Sequence, residues 1–266
     1  MIPKKIHYIW IGDANLSPKM EQCLMTWEKF CPGYEIFCWN QDNYDLTSNP
    51  LILNAIDAKN WALAADVMRA DVLYKYGGIY LDTDVELLRP LDELLQNKFF
   101  VGYESKRWVN NAIIGSIPYC DILKLVLEVY NFDSEIDKDS NLLAVHTYSG
   151  VLKFLYGIVP NGKSIVLDDG VALYSVDYFY PSNWLTGKLR LTENSFAIHH
   201  CANTWLNAKQ QNLMKFFRVA KKLLGAKLFG FCQNIFIKKF QREVENRLIS
   251  IKEQQNDRSP YAHEFE

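Results

Sequence analysis

Short apolar runs alternate along the chain with longer segments in which apolar residues recur every three or four positions. The runs have the length of buried strands and lie at residues 5–10, 34–39, 79–82, 99–103, 111–115, 164–167, 172–175 and 196–200. The periodic segments predict helices at residues 18–30, 60–76, 91–95, 121–130 and 147–156. This alternation predicts an α/β fold with a mainly parallel or mixed sheet.

The most distinctive segment is Tyr76-Gly-Gly-Ile-Tyr-Leu-Asp82-Thr83-Asp84. Two carboxylates separated by one residue follow an apolar strand, and open α/β sheets bind ligands at such strand ends. The carboxylates repel each other unless a cation lies between them. Mg²⁺ and Mn²⁺ accept one or two carboxylates together with substrate phosphates. The segment therefore favours a metal-assisted phosphate site over the common alternative, two solvated loop acids.

The predicted helix before this strand begins after Asn60, a suitable N-cap, and ends before Gly77. Asp66 and Arg69 are three residues apart and share a helix face. One interpretation is a solvated ion pair worth roughly 0.3 kcal/mol. The other is a nucleotide site, in which Asp66 accepts from ribose hydroxyls and Arg69 donates to phosphate or sugar oxygens. The helix is too apolar to be wholly exposed, which favours the second interpretation.

The motif Ala65-Asp66-x-x-Arg69 and the segment that ends at Asp84 together resemble the sugar-binding Asp-x-Asp region of glycosyltransferase family 32. That family includes bacterial capsule and lipopolysaccharide sugar transferases and yeast-type initiating mannosyltransferases. It is more distantly similar to the glucosylating domains of clostridial toxins. Residues 2–12 and 197–205 also match, so the resemblance covers roughly residues 1–205.

The resemblance implies a GT-A type, Rossmann-like catalytic domain over residues 1–207. It implies transfer of a hexose, with retention of configuration, from a nucleotide diphosphate sugar to a glycan or lipid-linked acceptor in surface polysaccharide synthesis. Asp82 and Asp84 would hold Mn²⁺ or Mg²⁺, which stabilises the departing diphosphate. Thr83 between them is expected to contact the donor. Because no residue identifies itself as a nucleophile, we expect a front-face mechanism with a short-lived oxocarbenium ion.

Two other functions compete with this prediction. A nucleotide-sugar-binding protein without catalysis is disfavoured by the intact Asp82 and Asp84 pair. A metal-dependent nucleotide-sugar hydrolase is disfavoured because the sequence holds no second dense cluster of acids and histidines for a two-metal site.

Trp10 ends the first predicted strand and is followed by Gly12. A tryptophan is most often a core residue, but an indole at this position could stack on a nucleobase. The resemblance favours the stack, because the matching tryptophan in related toxin domains lies against uracil. A UDP-sugar is therefore expected over a GDP-sugar. His7 is expected to be structural.

His199 and His200 end a late predicted strand. Adjacent strand residues face opposite ways, so one of them at most reaches the metal. Imidazole suits Mn²⁺ acceptably, and His200 is slightly favoured because it adjoins the loop. Thr204 and Trp205 follow as candidates for closing over the diphosphate and sugar, which would shield the donor from water.

Three further segments offer polar side chains. Asn111 stands in an amide-rich stretch that suits sugar hydroxyls as well as it suits a turn. Glu104 follows a predicted strand and is expected to reach the acceptor. Residues 146–150 are a weaker donor-pocket candidate, because Val151 replaces the proline that the family usually shows there.

Composition bounds the remaining possibilities. The chain has 266 residues, 49% of them hydrophobic, and a formal charge of −2, which gives no general attraction to nucleic acid. Its six cysteines show no Cys-x-x-Cys spacing and are expected to be reduced, mostly buried thiols. The sequence shows neither a signal peptide nor an apolar run of the ~20 residues that a membrane span needs. A cytoplasmic enzyme is expected.

Charge is unevenly distributed along the chain. Residues 194–242 carry nine lysines and arginines and no acid. We expect residues 208–250 to form a basic amphipathic helical appendage and residues 251–266 a flexible tail. The apolar and basic faces of residues 213–240 fit either packing on the catalytic core or attachment to an anionic membrane surface, and the second is slightly favoured.

Overall fold

The computed structural model describes residues 1–132, 143–182, 188–201 and 241–254. Its strands are β1 Lys5–Ile9, β2 Glu35–Trp39, β3 Gly78–Leu81, β4 Val85–Leu87, β5 Phe99–Tyr103, β6 Val109–Ser116, β7 Ile165–Val166, β8 Val171–Tyr174 and β9 Ala197–His199. Its α-helices are α1 Pro18–Phe30, α2 Pro50–Asp57, α3 Trp61–Tyr76, α4 Asp121–Asn131, α5 Leu143–Tyr156 and α6 Val176–Phe179. A C-terminal helix covers residues 241–254.

Seven strands form one mixed sheet in the order β2-β1-β3-β6-β5-β8-β7. The first three are parallel, β6 is antiparallel to both β3 and β5, β8 is parallel to β5, and β7 is antiparallel to β8. The ends of β1, β3, β5 and β8 therefore meet at one edge, which we call the carboxyl edge. The predicted α/β, Rossmann-like fold of GT-A type with a mixed central sheet is confirmed.

Helices cover both faces of this sheet. Helices α2 to α5 and the C-terminal helix pack on one face, where Met68, Val126 and Leu248 are buried. Helices α1 and α6 and the small sheet of β4 and β9 cover the other face, where Trp27 and Phe179 are buried. Strands buried on both faces explain the near-continuous apolar runs in the sequence.

A Gly-Gly turn delivers α3 into β3. Helix α3 begins at the N-cap Asn60, whose Oδ1 accepts from the Leu63 amide at 3.3 Å, as the sequence predicts. Gly77 and Gly78 have φ values of +62° and +103°. A Cβ on Gly78 would lie 2.8 Å from the Lys5 carbonyl oxygen, so no other residue fits between α3 and β1.

His7 holds this turn in place and is structural, as expected. Its Nδ1 accepts from the Trp39 indole at 3.1 Å, so its Nε2 donates to the Gly77 carbonyl at 2.9 Å. Burial lowers the pKa of His7 to about 4, which keeps the ring neutral at physiological pH.

The chain after β9 departs from the predicted boundaries. The C-terminal helix runs to residue 254 with Ile251 7% exposed, so the predicted start of a flexible tail at residue 251 falls inside a packed helix. Thr204, Trp205 and residues 213–240 lie outside the described residues. Among the described helices, none is long and apolar enough to cross a membrane.

We expect Gly78→Ala to lower the free energy of unfolding by about 2–4 kcal/mol, because the new methyl group meets backbone in a conformation that alanine disfavours. Gly33→Ala is the matched control, since a Cβ there meets nothing within 4 Å. It should change stability by less than about 1 kcal/mol. Urea unfolding measures both, and equal effects would contradict this explanation of the turn.

Candidate functional site

A tight turn after β3 brings Asp82 and Asp84 together at the carboxyl edge. The Asp82 amide donates to the Ala112 carbonyl at 2.9 Å, and the Val85 amide donates back to the Asp82 carbonyl at 3.0 Å. Strand β4 then begins at Val85, which pairs with His199 of β9. This pairing joins residues more than a hundred positions apart and sets an imidazole beside the two carboxylates.

His199 is the histidine that faces the pair. Its Nε2 lies 3.2 Å from Asp84 Oδ1 and 3.9 Å from Asp82 Oδ2. One ligand atom from each of the three residues falls within 4.8 Å of the others. The prediction of His200 is wrong in this structure: its Nε2 lies 2.8 Å from Glu86 Oε2, on the other side of the strand. Adjacent residues at the end of β9 point in opposite directions, and this alternation places the ring of His199, and not that of His200, beside the carboxylates. Proximity to the following loop does not determine which histidine is the ligand.

This cluster has the chemistry of a divalent metal site. Two carboxylate oxygens and one imidazole nitrogen suit Mn²⁺, and Asp84 is only 8% exposed, so the carboxylates need a cation. Burial opposes the charge on His199, but Asp84 outweighs it and raises the pKa of His199 well above its usual value. A proton on His199 therefore balances the acids when no metal is bound, and a metal must displace it.

Arg69 lies behind the metal cluster and holds Asp82. Its Nη2 is 3.2 Å from both Asp66 Oδ1 and Asp82 Oδ1, and its Nη1 donates to the Asn111 carbonyl at 2.8 Å. Arg69 is 5% exposed, so the pair with Asp66 is not the solvated ion pair of the alternative interpretation. Its Nε also donates to the Ala65 carbonyl at 3.3 Å. Most donors of Arg69 are thus engaged within the protein, and its main action in this structure is to orient Asp82.

Two side chains complete this network. The Tyr80 hydroxyl donates to Asp82 Oδ1 at 2.9 Å, and its ring lies 4.4 Å from the Arg69 guanidinium carbon. The Asn111 side-chain amide donates to Asp66 Oδ1 at 2.8 Å. In this structure Asn111 therefore binds Asp66, and a hydrogen bond to a sugar hydroxyl would be an additional one. Burial raises the pKa of Asp66, although Arg69 and Asn111 oppose that rise. Tyr80 was not among the predicted site residues, although its spacing of two from Asp82 at the end of a strand places both on one face.

Trp10 and Glu104 lie on the carboxyl edge at the two flanks of the cluster. Trp10 follows β1, is half-buried, and donates from its indole to the Ala14 carbonyl at 2.6 Å. Glu104 follows β5 and accepts from the Asn110 amide at 3.1 Å. The Asn110 carbonyl in turn accepts from Tyr180 at 3.1 Å. The edge therefore has a flat indole at one end and a carboxylate at the other.

Thr83 and residues 146–150 were also predicted to belong to the donor site. Thr83 is 8% exposed between the two aspartates. Residues 146–150, the weaker donor-pocket candidate, lie within α5, where His146 is 2% exposed. A Cβ on Gly150 would lie 2.5 Å from the Val244 side chain, so this glycine allows α5 to pack closely on the C-terminal helix. The helix predicted at residues 147–156 is therefore confirmed as part of α5, and the donor-pocket candidate at residues 146–150 is packed within it.

Comparison with known proteins supports the resemblance found in the sequence. Residues 17–100 match the family model described as "Glycosyltransferase sugar-binding region containing DXD motif". The chain is 34% identical over 125 residues to inositol phosphoceramide mannosyltransferase 3 of Schizosaccharomyces pombe. The aligned region covers 43% of this chain and 33% of that protein. It is 29% identical over 202 residues to an uncharacterized glycosyltransferase, L373, of Acanthamoeba polyphaga mimivirus. That aligned region covers 71% of this chain and 76% of that protein.

A solved structure of "PaToxG Glycosyltransferase" is also similar, with 19% identity and a TM-score of 0.48 over 59% of this chain and 70% of that one. The chain spans about a third of the length of the first curated relatives it matches. The expected likeness to glycosyltransferases with an Asp-x-Asp region is confirmed by the family model and the curated relatives. None of the relatives named here is a bacterial capsule or lipopolysaccharide enzyme.

Removal of the Arg69 charge should destabilise the protein. We expect Arg69→Met to lower the free energy of unfolding by about 3–5 kcal/mol, because it leaves Asp66 and Asp82 without their shared partner. The control is Lys4→Met, which breaks an ion pair whose side chains are 56% and 50% exposed. It should cost less than about 1 kcal/mol. Urea unfolding that shows equal costs would mean that the network adds no stability.

The two histidines should differ in their effect on metal affinity. We expect His199→Ala to weaken Mn²⁺ binding at least about tenfold, whereas His200→Ala should leave it within about twofold. Isothermal titration calorimetry on the full chain measures both. If His200→Ala has the larger effect, the assignment of the ligand is wrong.

The same calorimetric titration, repeated at several pH values, measures how Mn²⁺ affinity depends on the protonation of His199. Because a metal must displace a proton from His199, affinity should fall as the pH is lowered, by about tenfold per unit below the raised pKa. This dependence should become shallower in His199→Ala.

Proposed function

We propose that this protein is a metal-dependent, retaining glycosyltransferase that moves a hexose from a nucleotide diphosphate sugar to an acceptor hydroxyl. The observation that carries the proposal is the cluster of Asp82, Asp84 and His199 at the carboxyl edge. The match of residues 17–100 to a glycosyltransferase sugar-binding region supports it.

The residues around the cluster fit distinct tasks in this reaction. A divalent ion held by Asp82, Asp84 and His199 would neutralise the diphosphate and make it a better leaving group. Arg69 and Tyr80 keep Asp82 in one orientation before substrate arrives, so the site needs little reorganisation. The Oδ1 atom of Asp66 accepts from Arg69 and Asn111. We propose that its Oδ2 atom accepts from a ribose or sugar hydroxyl.

Retention follows if the acceptor hydroxyl attacks from the side that the diphosphate leaves. In that geometry the leaving diphosphate takes the proton of the acceptor, and the anomeric carbon passes through a short-lived oxocarbenium ion. Glu104, bonded to Asn110 at the flank of the edge, is proposed to orient the acceptor.

We propose a UDP-sugar as the donor, with uracil stacked on Trp10. The half-buried indole follows β1 at the carboxyl edge, next to the strand that carries Asp82. A GDP-sugar is the alternative, because the chain is similar to a protein named as a mannosyltransferase. Trp10→Ala should weaken nucleotide binding by about 1–3 kcal/mol if the base stacks there.

The acceptor is proposed to be a glycan or a lipid-linked oligosaccharide in surface polysaccharide synthesis. A place on the cytoplasmic face of a membrane, reached through the basic residues 213–240, is the location that the sequence favours.

Transfer from UDP-sugars and GDP-sugars, assayed with Mn²⁺ and a panel of acceptors, tests the proposal. Asp84→Asn should reduce transfer at least about hundredfold while the melting temperature stays near that of the wild type. Asp92→Asn, which alters a half-exposed acid that forms an ion pair with Lys4, is the control. Undiminished transfer by Asp84→Asn, or by the wild type in excess EDTA, would refute the role of the metal.

A further inference from the structure

A cavity of about 400 Å³ is lined by the last residue of β5, the last residue of α5, the segment that follows α5, and β7. Most of its lining is aromatic or aliphatic: Tyr103, Tyr156, Ile158, Val159, Ile165 and Leu167. Val159 and Ile165 are 66% and 39% exposed, and the neighbouring Val166 is 61% exposed. An apolar lining that stays open to water is a feature of binding sites for apolar groups.

Part of the cavity lining lies at the carboxyl edge, where the metal cluster also lies. Tyr103 is the last residue of β5 and precedes Glu104, and β7 begins at this edge because it runs antiparallel to β8. Two steps of the sheet, from β3 through β6 to β5, separate the end of β5 from Asp82. At about 4.8 Å per step, these strand ends are roughly 10 Å apart. A molecule of modest length can therefore reach both places.

Charge is distributed unevenly around the cavity. Lys163 lines it, and Lys106 packs against the neighbouring Gly162, whose Cβ would lie 3.0 Å from Lys106 Cγ. Neither lysine forms an ion pair with a carboxylate in the part of the chain that the structure describes. The acid that Tyr156 contacts, Asp169 at 3.2 Å, belongs to the turn at the opposite end of β7. Lys163 comes two residues before β7 begins, so the cationic part of the lining belongs to the same edge of the sheet as the metal cluster.

We propose that this cavity binds the aliphatic chain of an amphiphilic acceptor, whose phosphate group lies between Lys106 and Lys163 and whose hydroxyl end points toward Asp82. This inference rests on the proposed function and names its acceptor class. A ligand with an anionic group next to an apolar chain matches both features of the lining. A second copy of the chain fits less well, because β7 has two residues and offers too short an edge for strand pairing.

Calorimetric binding of decyl phosphate to the full chain, below its micelle-forming concentration and without nucleotide sugar, tests the inference. Ethyl phosphate supplies the head group alone. Each buried methylene strengthens binding by up to about fourfold, so decyl phosphate should bind at least about thirtyfold tighter than ethyl phosphate. The double variant Lys106→Gln with Lys163→Gln should weaken decyl phosphate binding and leave decyl glucoside binding unchanged.

A charge in the lining supplies the second arm. Val159→Asp should weaken decyl phosphate binding at least about tenfold, whereas Ile249→Asp, at a position 51% exposed on the C-terminal helix, should have no effect. Circular dichroism checks that both variants fold. Equal affinity for ethyl and decyl phosphate, or binding that Val159→Asp leaves unchanged, would overturn the inference.

Two other results would assign the surface to another occupant. Sedimentation that shows a dimer dissociated by Val159→Asp would make a second copy the occupant. Binding to phosphatidylglycerol vesicles without binding to monomeric decyl phosphate would make it a membrane-attachment surface. A chain that binds decyl phosphate but transfers no sugar would contradict the proposed function alone. A chain that transfers sugar but ignores chain length would contradict this inference alone.

Discussion

The arrangement of the site depends on one buried cation, Arg69, which two carboxylates share. Asp66 comes from the same helix, Asp82 from the end of β3, and the Asn111 carbonyl from β6, so the guanidinium joins three elements that the chain must bring together. Without it the two acids would repel each other in a setting of low dielectric. Because Arg69 and Tyr80 both bond Oδ1 of Asp82, the other oxygen of Asp82 is directed toward His199.

The third member of the cluster arrives by a different route. Strand β9 pairs with β4 directly after the Asp82–Val85 turn, so His199 is set opposite Val85 by backbone hydrogen bonds. The large sheet therefore positions Asp82, which follows β3, and the small sheet positions His199, which ends β9. This division suits a site that must keep its ligands oriented while substrate phosphates enter.

Local signals were sufficient for much of this account. The Asn60 cap, the Gly77 stop and the spacing of Asp66 and Arg69 define α3 and its polar face, and the apolar run before Asp82 defines β3. The choice between His199 and His200 depends on the register of β9 against β4, which no local pattern contains.

Other features depended on packing between distant segments. The role of Gly150 depends on Val244, almost a hundred residues away. Tyr80 is different, because period-two alternation before Asp82 already places its hydroxyl on the face of that carboxylate. Sequence therefore predicts which residue types gather at the site, whereas their orientation depends on long-range pairing.

The central claim is that a divalent ion is held by Asp82, Asp84 and a single imidazole, that of His199. Pulsed electron paramagnetic resonance of the Mn²⁺-loaded protein tests it directly, because a directly bound ring nitrogen couples to the electron spin. We expect one histidine nitrogen coupling, which shifts in protein labelled with ¹⁵N-histidine, persists in His200→Gln and disappears in His199→Gln. A spectrum without histidine coupling, or a coupling that is lost in His200→Gln, would contradict the assignment.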